Sequence, residues 1–150
     1  MFNATNGNDV RIGGYGKDYI FGLGGNDYLY GRQGDDLLFG GSGNDRLVGS
    51  SSYFSRDRDR LWGGSGRDRF VLGNRWGSFY RGSGYAIIED WEGGVDKIEL
   101  GRASGRYFIR TQNITGSSAL DTAIYYNNDL IGVIEDSTNV SIGRGDFVFA

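Results

Sequence analysis

Between residues 4 and 71 one apolar position returns every nine residues. Ile20, Leu29, Leu38, Leu47, Leu61 and Phe70 hold the eighth place of a nine-residue frame, and Arg11 holds it in the first unit. In an extended chain each of these points opposite to its two neighbours, as in Tyr28-Leu29-Tyr30. The tail of every unit therefore predicts a three-residue strand with one inward and two outward side chains. Nine is not a helical period, and polar, glycine-rich residues fill the rest of each unit, so a tight turn precedes each strand. A unit of this size buries nothing alone, whereas stacked units share one core. The units are 4–12, 13–21, 22–30, 31–39, 40–48, 54–62 and 63–71, with "GSSSY" inserted at 49–53. Arg11 breaks the inward pattern, which fits a frayed or solvent-facing first unit, or an array that continues into a larger parent protein.

After residue 71 the frame disappears. Alternating apolar stretches predict strands at 85–91, 96–100, 106–111, 122–126, 130–136 and 146–150, read as an antiparallel β cap. Within it "YYNNDLIGVI" predicts a hairpin turning at Asn127-Asn128-Asp129. A solenoid end exposes apolar strand edges and needs such a cover. The chain thus divides into a repeat region, 4–71, and a capping region, 72–150, both all-β.

Composition narrows the chemistry. Glycine supplies 28 of 150 residues, but three Trp, ten Tyr and nine Phe are too many for a disordered, solvating chain. With no Pro and no three-residue period, a collagen helix is excluded. There is no Cys and no His, so disulfides, zinc–thiolate sites and every histidine-based triad are excluded. No apolar run is long enough to span a bilayer, and "MFNATNGNDV" has neither the basic nor the apolar part of a cleavable signal peptide. The net charge is −3 and "RDRDR" alternates in sign, so no nucleic-acid footprint is present. Glu89, Glu92 and Asp121 lie outside the repeat and nothing in their spacing makes them converge, so no catalytic residue is assigned and the chain is read as a non-enzyme. Tyr19, Phe21, Tyr28, Tyr30, Phe39 and Trp62 take outward places, a face that could stack on a surface glycan, pack on a partner, or lie beneath residues 72–150.

Aspartate holds the sixth place in all seven units: Asp9, Asp18, Asp27, Asp36, Asp45, Asp59 and Asp68. Glycine holds the fourth place in six units, as Gly7, Gly16, Gly25, Gly34, Gly43 and Gly66. If alternate units stack, Asp9, Asp27, Asp45 and Asp68 line one edge and Asp18, Asp36 and Asp59 the other. Stacked strands lie about 4.8 Å apart. Two like charges at that distance repel by about 3 kcal/mol at an effective dielectric near 20. One aspartate in a glycine turn makes an Asx-turn; seven in register ask for a shared partner. Calcium suits them, since it takes six to eight oxygens, backbone carbonyls included, and glycine leaves those carbonyls open. The EF-hand loop pattern is missing.

"GGSGNDRLV" at 40–48 and "GGSGRDRFV" at 63–71 match G-G-x-G-x-D-x-(large apolar)-x at every defined position. The repeat region therefore resembles the RTX (repeats-in-toxin, hemolysin-type) calcium-binding family. The resemblance implies a right-handed parallel β-roll with two units per coil and calcium between loops stacked on the same side. Each ion would join two sixth-place aspartates to carbonyls from the second and fourth places of the earlier unit and the first and third of the later. Carried over, Asp9 and Asp27 would share an ion with Thr5, Gly7, Gly22 and Gly24. Asp27 and Asp45 would use Leu23, Gly25, Gly40 and Ser42. Asp45 and Asp68 would use Gly41, Gly43, Gly63 and Ser65. On the other edge Asp18 and Asp36 would use Gly14, Gly16, Gly31 and Gln33. An ion between Asp36 and Asp59, near Gly34, is the one the insertion disturbs. "IIEDWEGGVDKIEL" resembles the segment after the last repeats in that family, where the counterparts of Asp90 and Asp96 contribute a further site; a charged hairpin turn reads equally well. The total would be about four to six ions. "DFVFA" resembles RTX C-termini, which a type I exporter reads. The family thus implies a secreted, extracellular protein that folds on calcium after export.

Overall fold

The computed structural model describes residues 4–102 and 104–150; the first three residues of the N-terminal decapeptide fall outside it. Alternation inside each repeat yields β1 (Val10–Ile12), β2 (Tyr19–Gly24), β3 (Tyr28–Tyr30), β4 (Leu37–Ser42), β5 (Arg46–Val48), β6 (Arg58–Ser65) and β7 (Arg69–Val71). Beyond them come β8 (Gly73–Asn74), β9 (Gly77–Ser78), β10 (Tyr85–Ile88), β11 (Lys97–Leu100), β12 (Tyr107–Gln112), β13 (Asp121–Tyr126), β14 (Asp129–Ile134) and β15 (Phe147–Phe149). One 3-10 turn, Ile142–Arg144, precedes β15. No helix among the described residues is long and apolar enough to cross a membrane.

Odd and even units go to opposite sheets. One sheet runs β1-β3-β5-β7-β11-β15 with every neighbour parallel. The other runs β2-β4-β6-β10-β14-β13-β12, parallel from β2 to β14 and antiparallel thereafter. Ile20 stacks on Leu38 and Leu38 on Leu61; Leu29 stacks on Leu47 and Leu47 on Phe70. All six are fully buried, so the eighth-place residues form the core between the two sheets. The fold is all-β, a parallel β-roll followed by antiparallel strands, as the sequence implies.

Three local expectations change. The segments at 85–91 and 96–100 are not antiparallel: β10 lies parallel between β6 and β14, and β11 parallel between β7 and β15. Ile88 stacks on Leu61 and Ile98 on Phe70, so one more coil keeps the inward apolar residue while an acidic loop replaces the glycine turn. The terminal strand β15 is parallel too. The sheets therefore run past residue 71, where only the sequence frame ends. Finally, Tyr126 pairs with Asp129, so the hairpin turns on Asn127 and Asn128 alone, with Asn127 left-handed at φ 56°.

Arg11 lies in register with Leu29 and ion-pairs with Asp9 at 3.3 Å. Outside the roll, Phe21, Phe39 and Trp62 stack with ring centroids 4.8 and 4.4 Å apart and planes within 6° and 13°. Both faces of Phe39 are covered by its two neighbours, while Phe21, on the edge strand β2, stays exposed. Ring-to-ring contact of this kind contributes about 0.5–1.5 kcal/mol per pair beyond area burial.

Candidate metal sites

From Asp27 onward, each sixth-place aspartate braces the coil before it. The backbone N–H of Asp9 donates to Oδ1 of Asp27 (2.8 Å), Asp27 to Asp45 (2.8 Å), Asp45 to Asp68 (2.9 Å) and Asp68 to Asp96 (3.0 Å). On the other edge Asp18 donates to Asp36 (2.8 Å) and Asp36 to Asp59 (2.9 Å). The columns are those expected, with Asp96 continuing the first.

The second carboxylate oxygen, Oδ2, turns toward the first-place glycine of its own unit and the coil that follows. A Cβ at Gly22 would collide with Asp27 Oδ2 and with the carbonyl oxygen of Gly40. Gly31 meets Asp36 Oδ2 and the Gly49 carbonyl in the same way, and Gly40 meets Asp45 Oδ2 and the Gly63 carbonyl. Close approach of two oxygens is thus what makes the first place glycine. Gly49 takes that place in its coil, so the extra residues follow the first place instead of preceding the unit.

What Oδ2 bonds to depends on the second-place residue. Thr5 donates N–H and Oγ1–H to Asp9 Oδ2 (2.8 Å each), and Gly14 donates N–H to Asp18 Oδ2 (2.7 Å). Glu92 closes the same turn on Asp96 Oδ2 (2.8 Å). In four units the second place is instead left-handed: Leu23 (φ 77°), Arg32 (85°), Gly41 (109°) and Gly64 (93°). In these four units Oδ2 of Asp27, Asp36, Asp45 and Asp68 is buried without a hydrogen-bond partner. A buried acceptor left so costs about 1–3 kcal/mol, and more when charged. Acceptors facing acceptors need a cation between them, and a carboxylate with nearby carbonyls is a donor set that suits calcium. Among the described residues no three acidic side chains converge, so any ion here depends on backbone carbonyls.

Burial, then neighbouring carboxylates, pushes Asp36 and Asp68 up to about 7, and burial raises Asp45 and Asp96. Burial also takes Asp59 to about 7, against a hydrogen bond from Tyr80. These acids resist charging unless something positive joins them.

Asp90 is placed differently from the sixth-place acids. Its two oxygens accept the N–H groups of Gly63 and Gly64 at 2.8 Å each. Asp96 has both oxygens engaged by Asp68 and Glu92. Glu89 pairs with Arg60, and Asp121 accepts from Ile114, Thr115 and Asp136, so these carboxylates serve separate contacts. Two participants lie outside the sequence pattern. Tyr80 is fully buried and reaches Asp59; Asp146 is buried and accepts Ser141 N–H at Oδ2 (2.9 Å) and Ile98 N–H at its carbonyl (2.9 Å). Neither has a signal in the nine-residue frame.

Left-handed backbone costs a non-glycine residue roughly 1–2 kcal/mol. Leu23 is half exposed, so little packing is lost with its side chain. Leu23→Gly is expected to raise the stability of the calcium-loaded chain by about 1 kcal/mol, as read from denaturant midpoints in excess calcium. A loss would show that Leu23 serves a contact the φ argument ignores.

A family model described as RTX calcium-binding nonapeptide repeat (4 copies) matches residues 3–38 and 12–47. A second, described as Peptidase M10 serralysin C terminal, matches residues 36–133. No curated protein matches the chain. Among solved structures, the solution structure of the AlgE6R3 subunit from the Azotobacter vinelandii mannuronan C5-epimerase is 23% identical with a TM-score of 0.40, covering 99% of this chain and 81% of that one.

Proposed function

The chain belongs to the serralysin C-terminal family and carries RTX calcium-binding nonapeptide repeats, and from that premise we propose that it is a non-catalytic module whose roll winds up on calcium outside the cell. The observation that carries the reading is the set of four buried Oδ2 atoms without donors, at Asp27, Asp36, Asp45 and Asp68. Four ions would serve them. Asp27 and Asp45, with the carbonyls of Leu23, Gly25, Gly40 and Ser42, would hold one. Asp45 and Asp68, with Gly41, Gly43, Gly63 and Ser65, would hold the next. Asp36 and Asp59, with Arg32, Gly34 and Gly49, would hold a third, and Asp68 and Asp96, with Gly64 and Gly66, the fourth. The pairs Asp9–Asp27 and Asp18–Asp36 are weaker candidates, because Thr5 and Gly14 already satisfy the earlier acid.

Bound calcium supplies charge neutralisation and oxygen coordination between coils. An ion that binds only the wound state stabilises it by about 2.7 kcal/mol at one hundred times its Kd. Without that contribution the acid columns repel and the chain stays extended. Such a chain suits passage through a type I exporter from calcium-poor cytosol, followed by folding in extracellular calcium, which can fill sites with Kd near 10⁻⁴–10⁻³ M. Absence of Pro removes slow isomerisation from that step.

Circular dichroism tests the reading. In chelator the spectrum is expected to lack most β signal, and millimolar calcium is expected to restore it cooperatively where equal magnesium does not. Identical spectra with and without calcium would refute it.

A further inference from the structure

Two irregularities of the sequence meet at one residue. Five extra residues enter the coil after Gly49, and on the Asp18–Asp36–Asp59 edge the column stops, because Ala86 lies opposite Asp59 inside β10. Asp59 nevertheless has both oxygens engaged. Its Oδ1 accepts the N–H of Asp36, and its Oδ2 accepts the hydroxyl of Tyr80 at 2.5 Å. Both side chains are fully buried.

The hydroxyl sits where the other turns bring oxygens together. A Cβ at Gly49 would collide with Asp59 Oδ2 and Tyr80 Oη, just as one at Gly22 would collide with Asp27 Oδ2 and the Gly40 carbonyl. The next coil thus offers a donor at Asp59 where it offers a carbonyl oxygen at Asp18, Asp27, Asp36 and Asp45. The Tyr80 hydroxyl in turn accepts the N–H of Ser50 (2.8 Å), the first inserted residue after Gly49. Tyr80 N–H donates to the Ser52 carbonyl and Arg81 N–H to that of Tyr53, 3.1 Å each, while Tyr53 Oη donates to Asn74 Oδ1 at 3.0 Å. The insertion is thereby stitched to the loop that carries Tyr80, and Tyr80 itself is left-handed at φ 58° to reach inward.

We propose that the Tyr80 hydroxyl does for Asp59 what a cation does for Asp27, Asp36, Asp45 and Asp68, so that this edge ends in a protein-built plug and the Oδ2 side of Asp59 takes no ion. The inference rests on the calcium reading above but goes beyond it. It assigns the insertion a role, to present Ser50 N–H to the plug. It also makes Tyr80 the residue that closes the last acid of this edge, beyond which Ala86 supplies no carboxylate.

The test compares wild type with Tyr80→Phe, both saturated with calcium, by native mass spectrometry and thermal melting. The variant is expected to keep the wild-type number of ions and the same half-saturating calcium, while its melting midpoint falls by several degrees. Loss of one ion in the variant, or a melting midpoint equal to that of wild type, would overturn the proposal. Should the variant not fold, wild type alone decides by proton NMR in saturating calcium. A slowly exchanging hydroxyl proton showing contacts to the Tyr80 ring is expected; its absence would mean that an ion or water holds Asp59 instead. Failure of the calcium reading itself looks different, since wild type would then bind no calcium at all.

Discussion

Asp45→Ala is expected to leave the chain largely unfolded at calcium concentrations that fold the wild type. Asp45 works in both directions along its column: Oδ1 takes the N–H of Asp27 at 2.8 Å, and Oδ2 lies buried beside Gly40 with no donor. Removing the carboxylate leaves the Asp27 N–H unbonded and strips a negative ligand from two adjacent levels. Breaking a buried charge pairing from one side costs about 3–5 kcal/mol, a large share of the 5–15 kcal/mol that stabilises a typical domain. Calorimetric titration should show at least one ion fewer and a half-saturating calcium raised at least tenfold. Asp9→Ala is the matched control, because Thr5 already closes that turn. Its ion count should equal that of wild type. Equal behaviour of the two variants would remove the distinction between open and closed turns.

Acid should fold the metal-free chain, the reverse of ordinary acid denaturation. Asp36 and Asp68 sit at about 7 in the wound state because of burial, against 3.8 as the ordinary value. Between those limits the wound state binds protons that the extended chain does not, so stability rises as pH falls from 7 toward 4 and is lost as pH climbs through 7. The slope reaches about 1.4 kcal/mol per pH unit for each carboxyl. In chelator, β signal is therefore expected to increase from pH 8 to pH 5. Calcium must displace those same protons, so half-saturating calcium should rise over the same interval. A metal-free chain equally unstructured at both pH values, together with pH-independent calcium binding, would contradict the assignment.

Much of this was legible in the sequence because one physical requirement repeats. An inward side chain every nine residues specifies strand and turn, and two such units per coil give the eighteen-residue step that joins Asp9 to Asp27. The extra coil of β10 and β11 was not legible. Ile88 and Ile98 keep the inward place, but the loop between them abandons the glycine spacing that marks a turn. Nor does residue type reveal which turns are open. Gly14 could be left-handed and is not, while Leu23 and Arg32 are left-handed despite the cost. Stacking against the neighbouring coil sets that angle, as when Arg32 N–H reaches the Gly49 carbonyl at 2.8 Å. Tyr80 escaped for a similar reason, since its partner Asp59 comes from another coil and no local pattern joins them.

The most direct measurement is anomalous diffraction from crystals grown in calcium. Ions are expected beside Oδ2 of Asp27, Asp36, Asp45 and Asp68, with none at Oδ2 of Asp59. A roll that crystallises fully wound in chelator, those four oxygens still bare, would contradict the claim that cations hold its coils together.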